Sequence, residues 1–381
     1  MNLDKNCLAS VSTSNYMSNV KILFLGISLY ICSLGLFSSH VYLLWGIVYY
    51  LMNRFKILPD SLSICCLCIW ALSFINQIVG FLNGYIPQSF LEFLPYSFLI
   101  LVTIQLAKNI DERVLLVFVC CLIVDVFVGI YQKMNGIVSF YDVSQELVEG
   151  DDMLYNTKVF GLSTNSSGFA ANVFLALMIY QCYDFNKKIS PYFFYPVIII
   201  GLLLSFNRSV LLGTAVFVLI ELIQSKKKGG VLVLLFLGTS VLLYFILQDD
   251  LMELIMKQFL RGHEDIASAG FSEREIIYPF FVDFISNHLW LGNHSYKLLI
   301  DMGDGRILHA HNSYLQTLAT NGIIISLFYC YLIFHKMTFK NMKFIFPFLI
   351  ISITQTFILW GISLNDLIFY GILLSDYRRR I

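Results

Sequence analysis

Three side chains stand out for the chemistry their types could do together: Arg208, Arg274 and His311. A guanidinium stays charged and grips phosphate oxygens with a planar fork of donors. An imidazole changes protonation near neutral pH and so can take a proton from a hydroxyl. Arg208 lies in Phe206-Asn207-Arg208-Ser209, a tight turn between two apolar runs. With almost no loop around it, this cation must find water, a lipid headgroup or a bound anion; snorkelling to headgroups is the plainer alternative. Arg274 falls in Ser272-Glu273-Arg274-Glu275, where Ser272 and Glu275 have capping-box spacing. It therefore sits in the first turn of a helix, where a cation opposes the helix dipole unless an anion lies nearby. His311 closes a polar stretch, Leu308-His309-Ala310-His311, ahead of a long apolar run. Asn312 or Ser313 can cap that helix, which leaves its free amides beside His311 and favours an anion such as phosphate. His309 alternates with His311, as two residues on one side of an extended segment. A metal site would need a further placed ligand, and His263, His288 and His294 show no diagnostic spacing. Asp301-Met302-Gly303-Asp304-Gly305 lacks the closing Glu of a calcium loop and reads as a turn. No metal and no cofactor is expected.

The elements that must hold these residues are apolar. The chain has 381 residues, 58% hydrophobic and 13% charged, with a mean hydropathy of +0.74. A soluble domain carries roughly 25% charged residues, so the expected class is an all-α polytopic membrane protein. A spanning helix needs about 20 mostly apolar residues. Twelve runs qualify, the shorter ones less clearly: 20–38, 40–53, 62–83, 90–107, 113–131, 162–182, 192–206, 209–224, 230–247, 312–334, 343–361 and 363–376. The chain then divides into nine spans over 1–247, a polar loop over 248–311 and three spans over 312–381. Met1 to Asn19 is polar, with no apolar stretch ending in a small-residue cleavage site, so the first run is expected to remain as a helix. With both termini cytoplasmic, most of the 25 Lys and Arg residues fall on the inner side, including Lys226-Lys227-Lys228 and Arg378-Arg379-Arg380. The loop carrying His311 then faces outward.

Within that loop, Leu251, Leu254, Ile255 and Phe259 form one apolar face, suiting a helix on the membrane surface or packed on the loop's own core. Ile276, Ile277, Phe280, Phe281, Phe284 and Ile285 give a second helix an apolar face, bent by Pro279 and ending by Asn287. Asn293 to Leu308 is expected to be loop. An acidic outer segment from Gln132 to Gly161 reads as a solvated loop. Inside the spans, polar residues are few: Asn76, Gln77, Asp125, Asn172 and Gln355. Such residues can mark a pathway, but a proton-coupled transporter needs more acids than Asp125 alone. Nine cysteines lie in apolar or inner segments, so no disulfide framework is expected. Zero formal net charge gives no sign of nucleic-acid binding.

Several stretches, in order, resemble the O-antigen ligase and polymerase superfamily. His311-Asn312-Ser313-Tyr314-Leu315 with Asn321-Gly322 resembles its H-N-x-x-L core and Gly-centred helix entry. Gly161-Leu162-Ser163-Thr164-Asn165, Ser205-Phe206-Asn207-Arg208-Ser209, and Arg274 through Trp290-Leu291-Gly292 resemble its other motifs. Asn293-His294 follows Gly292 where many relatives have a second glycine. The resemblance covers about residues 160–330. It implies a GT-C-like membrane glycosyltransferase at the outer face of the bacterial inner membrane, acting on an oligosaccharide linked to undecaprenyl pyrophosphate. It further implies the lipid bilayer and a chain-length regulator protein as partners. On this reading His311 is the base, Arg208 and Arg274 hold pyrophosphate, and His309 and Asn312 are accessory. The implied activity is that of the polymerase, with the ligase second. A lipid-linked sugar transporter or flippase, a capsule polymerase, and a scaffold for polysaccharide assembly stay open.

Overall fold

The computed structural model describes residues 19–37, 41–54, 60–85, 96–141, 158–224, 274–303, 307–359 and 363–374. Several expectations lie outside these residues: the run 230–247, the surface helix at 250–260, the cap at Ser272, most of the acidic segment, and the basic clusters at 226–228 and 378–380. Among the described residues the chain folds into twelve helices and one two-stranded hairpin. The helices are α1 (Asn19–Ser33), α2 (Val41–Asn53), α3 (Ser61–Leu82), α4 (Tyr96–Asn109), α5 (Glu112–Met134), α6 (Ser166–Cys182), α7 (Pro191–Ser205), α8 (Arg208–Gln224), α9 (Arg274–Asn287), α10 (Ser313–Phe334), α11 (Met342–Thr354) and α12 (Leu364–Leu373). Strands β1 (Ile300–Asp301) and β2 (Ile307–Leu308) pair antiparallel between α9 and α10. The stretch from Asn293 to Leu308 is therefore not all loop. By length and composition α3, α5 and α10 could each cross a membrane.

Burial explains the order of the bundle. Along α6, Phe169, Ala170 and every residue from Asn172 to Tyr180 are buried. A helix that is apolar on all sides belongs at the centre, and α5, α7, α8 and α12 pack around it. The peripheral helices bury one side and expose Leu, Ile and Phe on the other. Leu23, Phe24 and Ile27 of α1 and Ile64, Leu67, Ile75 and Ile78 of α3 are examples. An outer surface of that kind matches lipid tails.

The polar side chains inside the helices have structural partners. Asp125 accepts from the Leu162 N–H at 2.7 Å, and Gln132 both donates to and accepts from the Gly161 backbone, at 2.7 and 2.8 Å. Together they fix the segment that leads into α6. Asn172 donates to Ser33 O at 3.1 Å, tying α6 to α1.

Asn76 and Gln77 serve a break in α10. At Gly322 the backbone leaves helical geometry (φ 74°, ψ 177°). The loop after α9 fills the gap: Asn293 N–H donates to Ala319 O at 2.7 Å, Ser295 N–H donates to Thr320 O at 2.8 Å, and Ile323 N–H donates to Leu289 O at 2.8 Å. Every helix break exposes backbone groups that must be paired when buried, and here the loop pairs them. Asn76 holds that loop by donating to Leu291 O at 2.8 Å and Ser295 Oγ at 3.1 Å. Gln77 donates to Ser295 O at 3.3 Å and its own carbonyl accepts from the Tyr296 hydroxyl at 3.2 Å. The run 312–334 is thus two helical segments joined at Gly322, not one unbroken helix. The close approach needs glycine on both sides. A Cβ at Gly322 would lie 2.1 Å from Trp290 O, and one at Gly292 would lie 2.5 Å from Gly322 N.

Candidate functional site

The residues around Arg208, Arg274 and His311 meet at the end of α11. Arg274 opens α9, as its sequence suggests, and its Nη2 donates to Thr354 O at 2.9 Å. That carbonyl belongs to the last residue of α11, a helix end that carries partial negative charge. The cation that opposes its own helix dipole is therefore matched by another helix's C-terminus. Tyr278, one turn further along α9, donates to Ile353 O at 3.3 Å.

Arg208 opens α8 and is exposed. Its neighbours fix it. Thr354 Oγ1 donates to Ser209 Oγ at 2.7 Å. Asn207 caps α8, its Oδ1 accepting from Val210 N–H at 3.2 Å, and its Nδ2 donates to Ser167 Oγ in the first turn of α6 at 3.3 Å. The turn that presents Arg208 is tight: Phe206 has φ 46°, a left-handed conformation that bulky residues rarely adopt and that recurs at functional sites.

His311 is joined to the same hub through its helix. Asn312 is the N-cap of α10, its Oδ1 accepting from Tyr314 N–H at 2.9 Å and Leu315 N–H at 3.0 Å. The hydroxyl of Ser313 donates to Gln355 O at 3.4 Å and accepts from Phe357 N–H at 3.0 Å. Gln355 in turn donates to Asn207 Oδ1 at 3.1 Å. The two residues Thr354 and Gln355 thereby connect the N-termini of α6, α8, α9 and α10. Helix N-termini concentrate free amides and partial positive charge, so their convergence suits an anion.

The histidines sit beside one of these ends. The rings of His309 and His311 lie 4.2 Å apart between centroids, tilted by 40°. His311 also has φ 48°, so the segment is not extended through it, although the two rings do share a side. Burial, with help from His311 and Lys297, pushes the His309 imidazole down to about 3. Nearby in sequence, Lys297, Gln316, Thr317, Thr320 and Asn321, with Tyr329 and Leu359, line a cavity of about 30 Å³. Burial lowers the Lys297 ammonium to about 8.

Lys297 and Thr354 belong to this cluster although motif reading passes over them, while Asn207, Ser313, Gln316 and Gln355 were given no site role. Asn207 carried a signal, an Asn immediately before a helix start. Lys297, a lone lysine in a polar stretch, carried none.

Apolar helices with lipid-like outer faces, and a hydrogen-bonded polar cluster at one end, define the class: an integral membrane protein with a polar site where several helices begin. Residues 193–330, about a third of the chain, match the family model described as O-Antigen ligase, a similarity consistent with the O-antigen ligase and polymerase superfamily. The matched stretch runs from α7 through most of α10 and contains Arg208, Arg274, His309, His311 and Asn312. It points to a glycosyltransferase-like enzyme of lipopolysaccharide assembly. No curated protein and no solved structure matches the chain.

Proposed function

We propose that the chain is an O-antigen polymerase, moving a growing glycan from undecaprenyl pyrophosphate to the next lipid-linked repeat unit at the periplasmic face of the bacterial inner membrane. The observation that carries this reading is the hub at Thr354 and Gln355. It ties the segments of Arg208 and Arg274 to the helix end that bears His311. Two guanidinium groups and several helix N-termini suit a pyrophosphate whose charge grows as it leaves. An adjacent imidazole suits a base.

In the reaction, the acceptor hydroxyl gives its proton to His311 as its oxygen bonds to the anomeric carbon of the donor. The bond from that carbon to the phosphate oxygen breaks, and the lipid pyrophosphate departs with the electron pair. Attack in line with the leaving group inverts the anomeric centre. The positive charge comes from the chain itself, so the step needs no metal. His309 and Asn312 are accessory, the first shaping the segment and the second capping α10. The same reading includes a twelve-span GT-C-like bundle, cytoplasmic termini, the bilayer as surroundings and a chain-length regulator as partner.

The stretch from Arg274 to Gly292 resembles polymerases more than ligases, while the matched family model is described as a ligase. The second reading is therefore transfer of the finished glycan to lipid A-core. A deletion strain separates the two, with surface glycan run on a gel beside the pool of lipid-linked glycan. A single repeat on lipid A-core with loss of the ladder identifies the polymerase. Bare lipid A-core with long chains on undecaprenyl pyrophosphate identifies the ligase. No change in either pool removes both and returns the transporter and capsule readings.

A further inference from the structure

The hairpin pairs Ile300 with Leu308 and Asp301 with Ile307. Beyond the hairpin the two segments run on to Leu298 and Ala310, with Lys297 next to the first and His309 and His311 on either side of the second. The ladder does not continue directly, because the Gln316 side chain stands between the strands. Ala310 N–H donates to Gln316 Oε1 at 2.9 Å, and Gln316 Nε2 donates to Leu298 O at 2.9 Å and to Thr320 Oγ1 at 3.3 Å. One side-chain amide thus takes the place of a backbone pair and holds the strands an amide's width apart. Gln316 is buried, so this bridge is shielded from competing water. Lys297 and Gln316 line one cavity, and the Lys297 charge acts on the His309 imidazole.

We propose that Lys297 is a positioning residue for the transfer site: its ammonium, held beside the His309–His311 pair by the Gln316 bridge, keeps the imidazoles free to accept a proton from a sugar hydroxyl. This rests on the reading of His311 as the base. Two imidazoles in ring contact cannot both hold a proton cheaply, and a third cation beside them disfavours even the first. With its midpoint near 8, Lys297 stays mostly charged at neutral pH. Around the pair, the packed elements also carry Arg274, Tyr278, Asp283 and His288 on α9, Asp301 in the hairpin and Tyr314 on α10. Asp283 and Asp301 are the acids among these described side chains, and both are exposed. Arg274 and, on α8, Arg208 add further positive charge. Of these cations, Lys297 adjoins the Leu298 carbonyl held by the Gln316 bridge, and its charge reaches His309.

The test uses the full chain in detergent micelles. Diethyl pyrocarbonate reacts with neutral imidazole, so its rate at His309 and His311, followed by peptide mass spectrometry against pH, reports their protonation without requiring turnover. Lys297→Met is expected to move the midpoint of the coupled His309–His311 pair upward by about 0.5–1 pH unit, and Lys297→Arg to restore it. Should Lys297→Met fail to accumulate, Lys297→Gln carries the same expectation. An unchanged midpoint in the neutral variant, or an equal shift in Lys297→Arg, overturns the proposal. Glycan transfer is then measured over the same pH range. If the histidine midpoint moves and the acid limb of transfer moves with it, both readings gain. If the midpoint moves and transfer ignores it, the Lys297 effect on the imidazoles stands and the base assignment falls.

Discussion

Arg274 and Thr354 are joined by a hydrogen bond from the guanidinium Nη2 to the carbonyl that ends α11, at 2.9 Å. The hydroxyl of the same threonine reaches Ser209, the neighbour of Arg208. One residue is therefore the fixed point for both arginine-bearing segments. A guanidinium has five N–H donors, and the bond to Thr354 uses one, leaving the fork able to face an anion.

Arg208→Lys and Arg274→Lys each keep the charge but lose the fork. Each is expected to lower transfer by about tenfold or more, the equivalent of one charge-assisted hydrogen bond. Thermal melts of the purified proteins should shift little for Arg208→Lys, which is exposed. Wild-type transfer in both lysine variants would show that point charge alone is enough and would remove the bidentate role.

Thr354→Val tests the hub without touching a charged group. It deletes the hydroxyl bonded to Ser209 but leaves the carbonyl that Arg274 uses. Loss of a net hydrogen bond is worth about 1 kcal/mol, so a modest fall in melting temperature is expected. Transfer should fall further than stability does, because the Arg208 turn loses its tether. A variant with lowered stability and full transfer would mean that the hub is only structural.

His309 gives a pH dependence of stability with a definite sign. Its imidazole sits near 3 in the fold and near about 6.5 when unfolded. The unfolded chain thus binds the extra proton first as pH falls. Stability from this group is complete above the unfolded value and is lost progressively below it, toward pH 3. Melting temperature should drop between pH 7 and pH 5, and His309→Asn should remove part of that drop. If the drop is identical in His309→Asn, the neutral buried imidazole is not its source.

Gly322→Ala and Gly292→Ala should both fail to give folded protein, judged by size-exclusion profile, since each new methyl meets backbone rather than a movable side chain. The control is Gly136→Ala, where φ is 66° and nothing lies within 4 Å; a left-handed alanine there costs only about 1–2 kcal/mol. Normal yields of Gly322→Ala would contradict the inserted loop.

Much of the helix pattern was legible because it is local. Apolar runs near the spanning length located the cores of most described helices. The periodicity of Ile277, Phe281 and Phe284 located α9, and Asn312 announced the start of α10. The break at Gly322 was signalled only by the resemblance to a Gly-centred helix entry, because hydropathy over Thr320-Asn321-Gly322-Ile323 fits a continuous helix with one glycine. What breaks it is pairing with residues 289–295, held by Asn76 and Gln77 from α3. For the same reason those two polar residues suggested a pathway when they are loop anchors. The Gln316 bridge was invisible, since it depends on a register between segments that sequence treats as one irregular stretch. Residue types and spacing suggested Arg208, Arg274 and His311 as partners, while Thr354, which connects the two arginine segments, lies in no motif.

The interrupted helix has a consequence for the order in which the protein matures. As the chain is synthesised, α3 appears first, the loop after α9 much later, and α10 last. The outer half of α10 carries Asn312 and Gln316, which set the His309–His311 segment in place. The backbone groups at its break are paired only with the earlier loop lodged there and held by α3. A newly made chain is therefore unarmed until its bundle has closed. Assembly of the bundle and completion of the polar site are thereby one event.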